Sequence, residues 1–192
     1  MAGQKSKKYK VLIVDDEKKI LTVAKKLLSS EGYEVLTTDN AEEALDILEE
    51  RGPIAVVLSD NRMPAMRGTE FFKKIKTICP NTVRILMTAY YDSQLIEDIV
   101  NAGEVYRYLK KPLDFKLVSQ TIQAGIQQYE RNLEVEALGE DLLRLNHEKT
   151  ELESTSASLD ATINKLTRVK KFLVVSLIGM AVTFGIYQVF SA

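Results

Sequence analysis

IAVVLSD, residues 54–60, is a short apolar run that ends at an aspartate. Four other β-rich runs of similar length occur in the same part of the chain, at 10–15, 33–37, 83–88 and 105–109. Helical patterns alternate with these runs, at 17–30, 40–51, 68–77, 92–102 and 113–129. Strands that are apolar along nearly their whole length, alternating with helices, indicate a parallel sheet covered on both faces. We therefore predict a doubly wound α/β domain of five strands over residues 9–129.

Polar side chains stand at the ends of four of these runs. They are Asp15 and Asp16 after the first, Asp60 at the third, Thr88 at the fourth and Lys111 after the fifth. In a doubly wound sheet the carboxyl ends of the strands share the edge where ligands bind. Three carboxylates placed together repel one another, and a divalent cation relieves that repulsion. Because the ligands are hard oxygens and the site is small, we predict Mg²⁺ as the cofactor.

The same edge has the groups needed to form an aspartyl phosphate. Asp60 ends the central run and is the natural nucleophile, because carboxylates can accept a phosphoryl group. The Thr88 hydroxyl and the Lys111 ammonium can each contact a phosphoryl oxygen. Each element alone has another explanation, since an Asp–Asp pair is often a helix N-cap and Lys-Lys-Pro is often a solvated turn. Their occurrence together at successive strand ends favours the phosphoryl site.

Four stretches carry a family resemblance. VLIVDDE (11–17), VVLSDNRMPAMRG (56–68), ILMTA (85–89) and YLKKP (108–112) resemble, in order and spacing, the motifs of the receiver domain of two-component response regulators. The resemblance implies a flavodoxin-like fold with strand order 2-1-3-4-5. It also implies phosphorylation by a sensor histidine kinase or a phosphotransfer protein.

The resemblance further implies a role for each residue of the predicted site. Asp60 is the phospho-acceptor, and Asp15, Asp16 and Asp60 hold Mg²⁺ together with the backbone carbonyl of Arg62. Thr88 and Tyr108 are the switch residues. Lys111, rather than Lys110, binds the phosphoryl group, and the bond from Lys111 to Pro112 is expected to be cis.

The sequence departs from the family pattern at several positions. Arg67 stands where the family often has Asp, Asn or Ser, and Arg62 and Tyr90 occupy positions that tend to control the access of water. Some phrases are most similar to receivers that precede cyclic-dinucleotide phosphodiesterase-type outputs. Such an output needs a paired histidine–aspartate metal site, and His147 is the one histidine in the sequence.

A helical stalk is predicted over residues 130–171, after the receiver domain. Leucine recurs at every seventh position there, at Leu138, Leu145, Leu152, Leu159 and Leu166. If these are d positions, Lys149 and Ser156 fall at a positions, and Glu148 at g faces Glu153 at e in a parallel pair. We predict a coiled coil that forms a homodimer; the alternative is a solvated single helix. The phase of the apolar stripe changes at 133–139, which predicts a hinge or a stutter.

Residues 172–190 form a stretch of 19 residues with no charge among them. As a helix it would be about 28 Å long, close to the ~30 Å hydrocarbon core of a bilayer. Lys165, Arg168, Lys170 and Lys171 precede it, and the positive-inside tendency would keep the receiver in the cytoplasm. We predict a single-pass C-terminal transmembrane anchor in a bacterial inner membrane; the alternative is a buried or packing helix. Residues 1–8 form a basic N-terminal tail.

Charge and composition limit the function classes. The net charge is −1, and residues 130–171 carry 9 acids against 7 bases, so no nucleic-acid partner is expected. Cys79 is the one cysteine, which excludes a disulfide or a cysteine metal cluster within the chain. We predict a receiver that signals by phosphorylation-dependent protein interaction and is not an enzyme with a separate output. The alternatives are a membrane-tethered scaffold with an unphosphorylated receiver, and a phosphate sink.

Overall fold

The structure is a computed structural model that describes residues 9–89 and 104–190, with side chains up to residue 180. The chain divides into two compact units, Met1–Glu136 and Ala137–Ala192. The predicted helix at 92–102 lies outside the described residues.

The described part of the first unit contains five strands and three complete helices in alternating order, followed by the start of a long helix. The strands are β1 (Lys10–Val14), β2 (Glu34–Thr38), β3 (Val56–Asp60), β4 (Val83–Thr88) and β5 (Arg107–Lys110). The helices are α1 (Lys18–Ser30), α2 (Ala41–Arg51), α3 (Gly68–Ile78) and the long helix (Phe115–Phe190). All five predicted strands are present, and the fifth begins two residues later than expected.

The strands form one parallel sheet in the order β2-β1-β3-β4-β5. This confirms the predicted strand order. The strand order reverses between β1 and β3. The connection that leaves β1 crosses one face of the sheet, and the connection that leaves β3 crosses the other face. A crevice therefore opens at their carboxyl ends, where Val14 pairs with Ser59 in the register of the two strands.

Both faces of the sheet are covered, as the apolar strands predicted. Alternate residues such as Ile13 and Leu58 pack with α1 and with the start of the long helix. Their neighbours Leu12 and Val57 pack with α2 and α3 on the other face. Every residue of β3 and β4 is buried. Because neither face meets solvent, these strands need apolar side chains at both odd and even positions.

The long helix begins as part of the receiver core. Val118, Ile122, Ile126 and Tyr129 are buried against the sheet, and Leu133 packs at the edge of the same cluster. The helix continues without interruption through the predicted hinge at 133–139. What changes there is burial, because the apolar residues beyond Leu133 up to residue 180 are exposed in this chain.

In the described part of the chain, no helix combines the length and the apolar character of a membrane span. The predicted transmembrane segment is therefore not supported by the described part of the chain. Its second half, residues 181–190, lies beyond the residues whose side chains the structure describes.

Candidate functional site

Three aspartates meet at the carboxyl edge of the sheet. Asp15 follows β1 and Asp60 ends β3, so the pairing of these two strands brings them together, and Asp16 is the next residue along the chain. One carboxylate oxygen from each of the three lies within 4.8 Å of the others. Asp15 is fully buried, Asp60 is nearly so, and Asp16 is exposed. The site is thus a buried acidic floor with one side open to solvent.

Lys111 reaches into this cluster from the loop after β5. Its Nζ lies 2.9 Å from Asp15 Oδ2 and 3.2 Å from Asp60 Oδ2. It also lies 2.9 Å from Glu17 Oε1 at the start of α1. The Lys111 backbone N–H donates to the Thr88 carbonyl at 2.8 Å, which fixes the lysine beside the end of β4. The bond from Lys111 to Pro112 is cis, as predicted.

Burial and pairing shift the pKa values of Asp15 and Lys111 within this cluster. Burial raises the pKa of Asp15, although Lys111 and the Glu17 N–H, which donates to Asp15 Oδ1 at 2.9 Å, both lower it. Burial lowers the pKa of Lys111, but its pairing with Asp15 and Glu17 and the charge of Asp60 outweigh this effect, so its pKa is raised. Desolvation therefore disfavours the charged forms of Asp15 and Lys111, and their pairing favours them.

The two predicted switch residues lie on the neighbouring strands. Thr88 is buried at the end of β4. The Asn61 N–H donates to the carbonyl of Met87, the residue before Thr88, at 2.9 Å, so β3 and β4 end side by side. Tyr108 lies on β5 opposite Leu86, and 36% of its surface is exposed. Arg62 is exposed two residues after Asp60, and Tyr90 lies outside the described residues.

The loop after Asp60 closes tightly on itself. Asp60 Oδ1 accepts a hydrogen bond from the Asn61 N–H at 2.8 Å, and the Gly68 N–H donates to the Asn61 carbonyl at 3.1 Å. A Cβ atom placed on Gly68 would lie 2.3 Å from the Asp60 carbonyl oxygen. Only glycine therefore lets α3 begin this close to the acidic cluster. Ala65, in the same loop, has a left-handed φ of 68°.

A family model for the response regulator receiver domain matches residues 11–123. The chain belongs to this receiver family. Members of the family are phosphorylated on an aspartate in two-component signalling, and they bind Mg²⁺ through an acidic pocket.

Individual relatives support the same assignment for the receiver. The chain is 40% identical over 106 residues to the hydrogenase transcriptional regulatory protein HoxA of Cupriavidus necator, covering 55% of this chain and 22% of HoxA. It is 32% identical over 114 residues to sporulation initiation phosphotransferase F of Bacillus subtilis, covering 59% of this chain and 90% of that protein. A CheY-like receiver structure from Methanospirillum hungatei superposes with a TM-score of 0.61 at 30% identity, covering 66% of this chain and 99% of that one.

The chain therefore spans a receiver and only about a fifth of the length of the transcriptional regulator HoxA. HoxA is named as a regulator of transcription. This name conflicts only weakly with the prediction that this receiver has no nucleic-acid partner.

The residues of this receiver fit a magnesium ion. In the described part of the chain, Asp15 Oδ2 is buried, has no hydrogen-bond partner and pairs with the charge of Lys111 Nζ at 2.9 Å. Asn61 Oδ1 is also buried without a hydrogen-bond partner in the described part of the chain. Buried oxygens with unused lone pairs, next to three carboxylates, are the donor set that Mg²⁺ prefers.

Two contributors to the receiver site are absent from the sequence prediction. Glu17 pairs with Lys111 although 94 residues separate them, and Gly68 allows the close approach of α3 to Asp60. Glu17 follows the Asp–Asp pair directly, so an acid at the start of α1 was the available signal. Gly68 closes the quoted stretch VVLSDNRMPAMRG, but the sequence alone does not show how closely its backbone approaches the Asp60 carbonyl.

Proposed function

We propose that this receiver accepts a phosphoryl group on Asp60 from a histidine kinase or phosphotransfer protein. The observation that carries the proposal is the meeting of Asp60 and Lys111 beside Asp15 at one strand edge, with Nζ–Oδ2 distances of 3.2 Å and 2.9 Å. Asp15, Asp16, Asp60 and the backbone carbonyl of Arg62 are the proposed ligands of Mg²⁺. When bound, Mg²⁺ supplies positive charge that offsets the negative charge of the phosphoryl oxygens.

The transfer is a displacement at phosphorus. An oxygen of the Asp60 carboxylate forms the new P–O bond while the bond from phosphorus to the donor nitrogen breaks, and the donor nitrogen keeps the electron pair. Lys111 already contacts Asp60 Oδ2, so its ammonium can bond to a phosphoryl oxygen without crossing the site. The protein contributes mainly position and charge, as expected for phosphoryl transfer.

The output in this proposal is a change of surface. Thr88 is buried next to the acceptor strand, whereas Tyr108 is partly exposed on β5. A bond from the Thr88 hydroxyl to the new phosphoryl group would shift the end of β4, and Tyr108 would turn inward in response. The face formed by residues 90–115, of which 90–103 lie outside the described residues, would then present a different surface to a partner.

The test is incubation of the full chain with Mg²⁺ and acetyl phosphate, followed by intact mass measurement. We expect one acid-labile phosphoryl adduct in the wild type and none in Asp60→Ala. Asp46→Asn is the matched control, because Asp46 is an exposed aspartate on α2 of the same unit. An adduct that survives Asp60→Ala would contradict the proposal. No adduct in the wild type would favour an unphosphorylated scaffold.

We also propose that residues 172–190 anchor this receiver in a membrane, with the receiver in the cytoplasm. This proposal rests on the sequence, namely 19 residues without charge after Lys165, Arg168, Lys170 and Lys171. No helix in the described part of the chain adds support for it. Extraction of bacterial membranes with alkaline carbonate is the test. Full-length chain should stay in the pellet, and a chain lacking 172–190 should not; release of both would contradict the anchor.

A further inference from the structure

The stalk part of the second unit presents an apolar seam along one side of the long helix. The leucines at the d positions, from Leu138 to Leu166, are each at least 57% exposed in this chain. Leu142 and Ile163, at a positions, extend the same seam and are also exposed. We call these residues the leucine seam: Leu138, Leu142, Leu145, Leu152, Leu159, Ile163 and Leu166. A seam with this spacing is suited to a second helix.

Charges on the two flanks of the leucine seam have one sign. Between residues 138 and 167 the charged residues at e and g positions are Asp141, Glu148, Glu153 and Asp160, and all four are acids. The basic residues of this stretch lie elsewhere, with Arg144 and Lys165 at c positions on the outer side and Lys149 within the seam at an a position. Flank charges select the partner of a coiled coil, so this segregation carries information about the partner.

A second copy of the chain, the partner expected from the leucine repeat, fits this pattern poorly. In a parallel pair Glu148 of one chain faces Glu153 of the other, and the two copies of Lys149 meet in the seam. In an antiparallel pair e positions face e positions and g positions face g positions, so acids again face acids or neutral residues. Neither arrangement provides an attractive pair across the flanks, and like charges in facing positions disfavour the complex.

Pairing within the helix does not remove this bias. Arg144 Nε lies 3.3 Å from Glu148 Oε1, and Lys149 Nζ lies 3.7 Å from Glu153 Oε1. All four side chains are more than half exposed. Ion pairs this exposed are weak and exchange readily with pairs to another chain. Glu148 and Glu153 therefore remain available to a partner.

We propose that the leucine seam binds a different helix, one with its own apolar heptads and with lysine or arginine at its e and g positions. An acidic residue of that helix would face Lys149 within the seam. Such a partner turns each flank into a set of attractive pairs, whereas a second copy leaves them repulsive or neutral. The proposal concerns the stalk alone and does not depend on phosphorylation of Asp60.

Two designed peptides test the proposal on the full chain in a mild detergent. Both have five leucine heptads and a glutamate at the a position opposite Lys149; one has lysine at every e and g position and the other has glutamate. We expect the lysine peptide to bind about tenfold more tightly, since each exposed pair changes affinity by about twofold. The preference should shrink as salt is added. Equal binding of the two peptides would overturn the proposal.

Charge-reversal variants distinguish recognition through the e and g charges from nonspecific hydrophobic binding to the leucine seam. Glu148→Lys with Glu153→Lys should abolish or reverse the preference for the lysine peptide. Glu151→Lys, at an exposed c position of the same turn, should retain it. All three sites are exposed on the helix, so circular dichroism should show unchanged helix content. A double variant that keeps the wild-type preference would overturn the proposal.

Self-association provides the third measurement. The wild type should be monomeric through its stalk at micromolar concentration by sedimentation velocity. Glu148→Lys alone should promote dimers, because it creates an attractive pair with Glu153 of a second copy. A wild type that already forms a tight dimer, weakened by Leu152→Glu and unaffected by Glu148→Lys, would show that the occupant of the seam is a second copy.

Discussion

Replacing Gly68 with alanine tests how the acidic cluster is positioned. The added Cβ would lie 2.3 Å from the Asp60 carbonyl oxygen and 3.1 Å from the Asn61 Cα. Both atoms belong to the backbone of the acceptor loop, so no side-chain rotation can relieve the contact. The start of α3 or the end of β3 must move by about 1 Å to restore van der Waals separation, a form of overpacking.

The size of the effect follows from this displacement. Forced backbone shifts of this kind cost about 1–3 kcal/mol of the free energy of unfolding. Because 1.4 kcal/mol is a factor of ten, amides in β1 and β3 that exchange by global unfolding should exchange about 5–150 times faster. A reacting group misplaced by about 1 Å loses about 100-fold in rate, so phosphorylation of Asp60 by acetyl phosphate should slow by up to that factor.

Hydrogen exchange with mass spectrometry is the suitable assay, because the long helix would dominate circular dichroism. Gly125→Ala is the matched control. A Cβ there would meet side-chain methyl groups of Val56 and Ile85 at 3.1 Å and 3.4 Å, and these can shift by a few tenths of an ångström. With the gain in helix propensity, its stability should stay within about 1 kcal/mol of the wild type. If Gly68→Ala exchanges and reacts like Gly125→Ala, the argument from close approach is wrong.

Three other perturbations probe the receiver. Lys111→Met leaves two buried carboxylates unpaired and should lower the free energy of unfolding, measured without Mg²⁺, by about 3 kcal/mol. Glu17→Gln removes a carboxylate that is 60% exposed and should lower it by less than ~1 kcal/mol. Equal losses of stability in the two variants, measured by hydrogen exchange, would contradict this prediction. Ala65→Val places a β-branched residue at a φ of 68° and should lower the free energy of unfolding by about 1–2 kcal/mol. Ala65→Gly should not destabilise the protein. The reverse order of stability would refute backbone strain at this position. The hydrogen bond from Tyr9 to Glu130 is the main cause that raises the pKa of Tyr9, and burial is the second. The stability that this hydrogen bond contributes is therefore complete below the unfolded pKa of about 10. It is lost as the pH rises through the pKa of Tyr9 in the folded protein. Tyr9→Phe should therefore lower the free energy of unfolding by ~1 kcal/mol near neutral pH. The difference in stability between the wild type and this variant should disappear at alkaline pH, with unfolding followed by near-UV circular dichroism of the tyrosines. A difference that does not depend on pH would exclude this hydrogen bond as its cause.

Local patterns in the sequence were sufficient to predict the strands and to group the polar residues at their ends. A strand covered on both faces must be apolar at successive positions, and IAVVLSD shows that requirement directly. Parallel strands bring their carboxyl ends to one edge, so the polar residues that follow them could be grouped from the sequence alone. The boundaries were less accurate, because β5 begins at Arg107 although the apolar run begins at Val105, which is buried but not part of the strand.

The amino-acid sequence by itself therefore determined which residues form the sheet and which polar groups end its strands, since both depend on periodicity and on the direction of the chain. Only the tertiary structure showed that Glu17 shares Lys111 with the aspartates and that Gly68 lies against the Asp60 carbonyl. These contacts join segments that are distant in sequence or separated by a loop. These contacts form only if the register of the strands and the path of the loops are correct to within about 1 Å. The periodicity of the sequence contains no information about the register or the path at that precision.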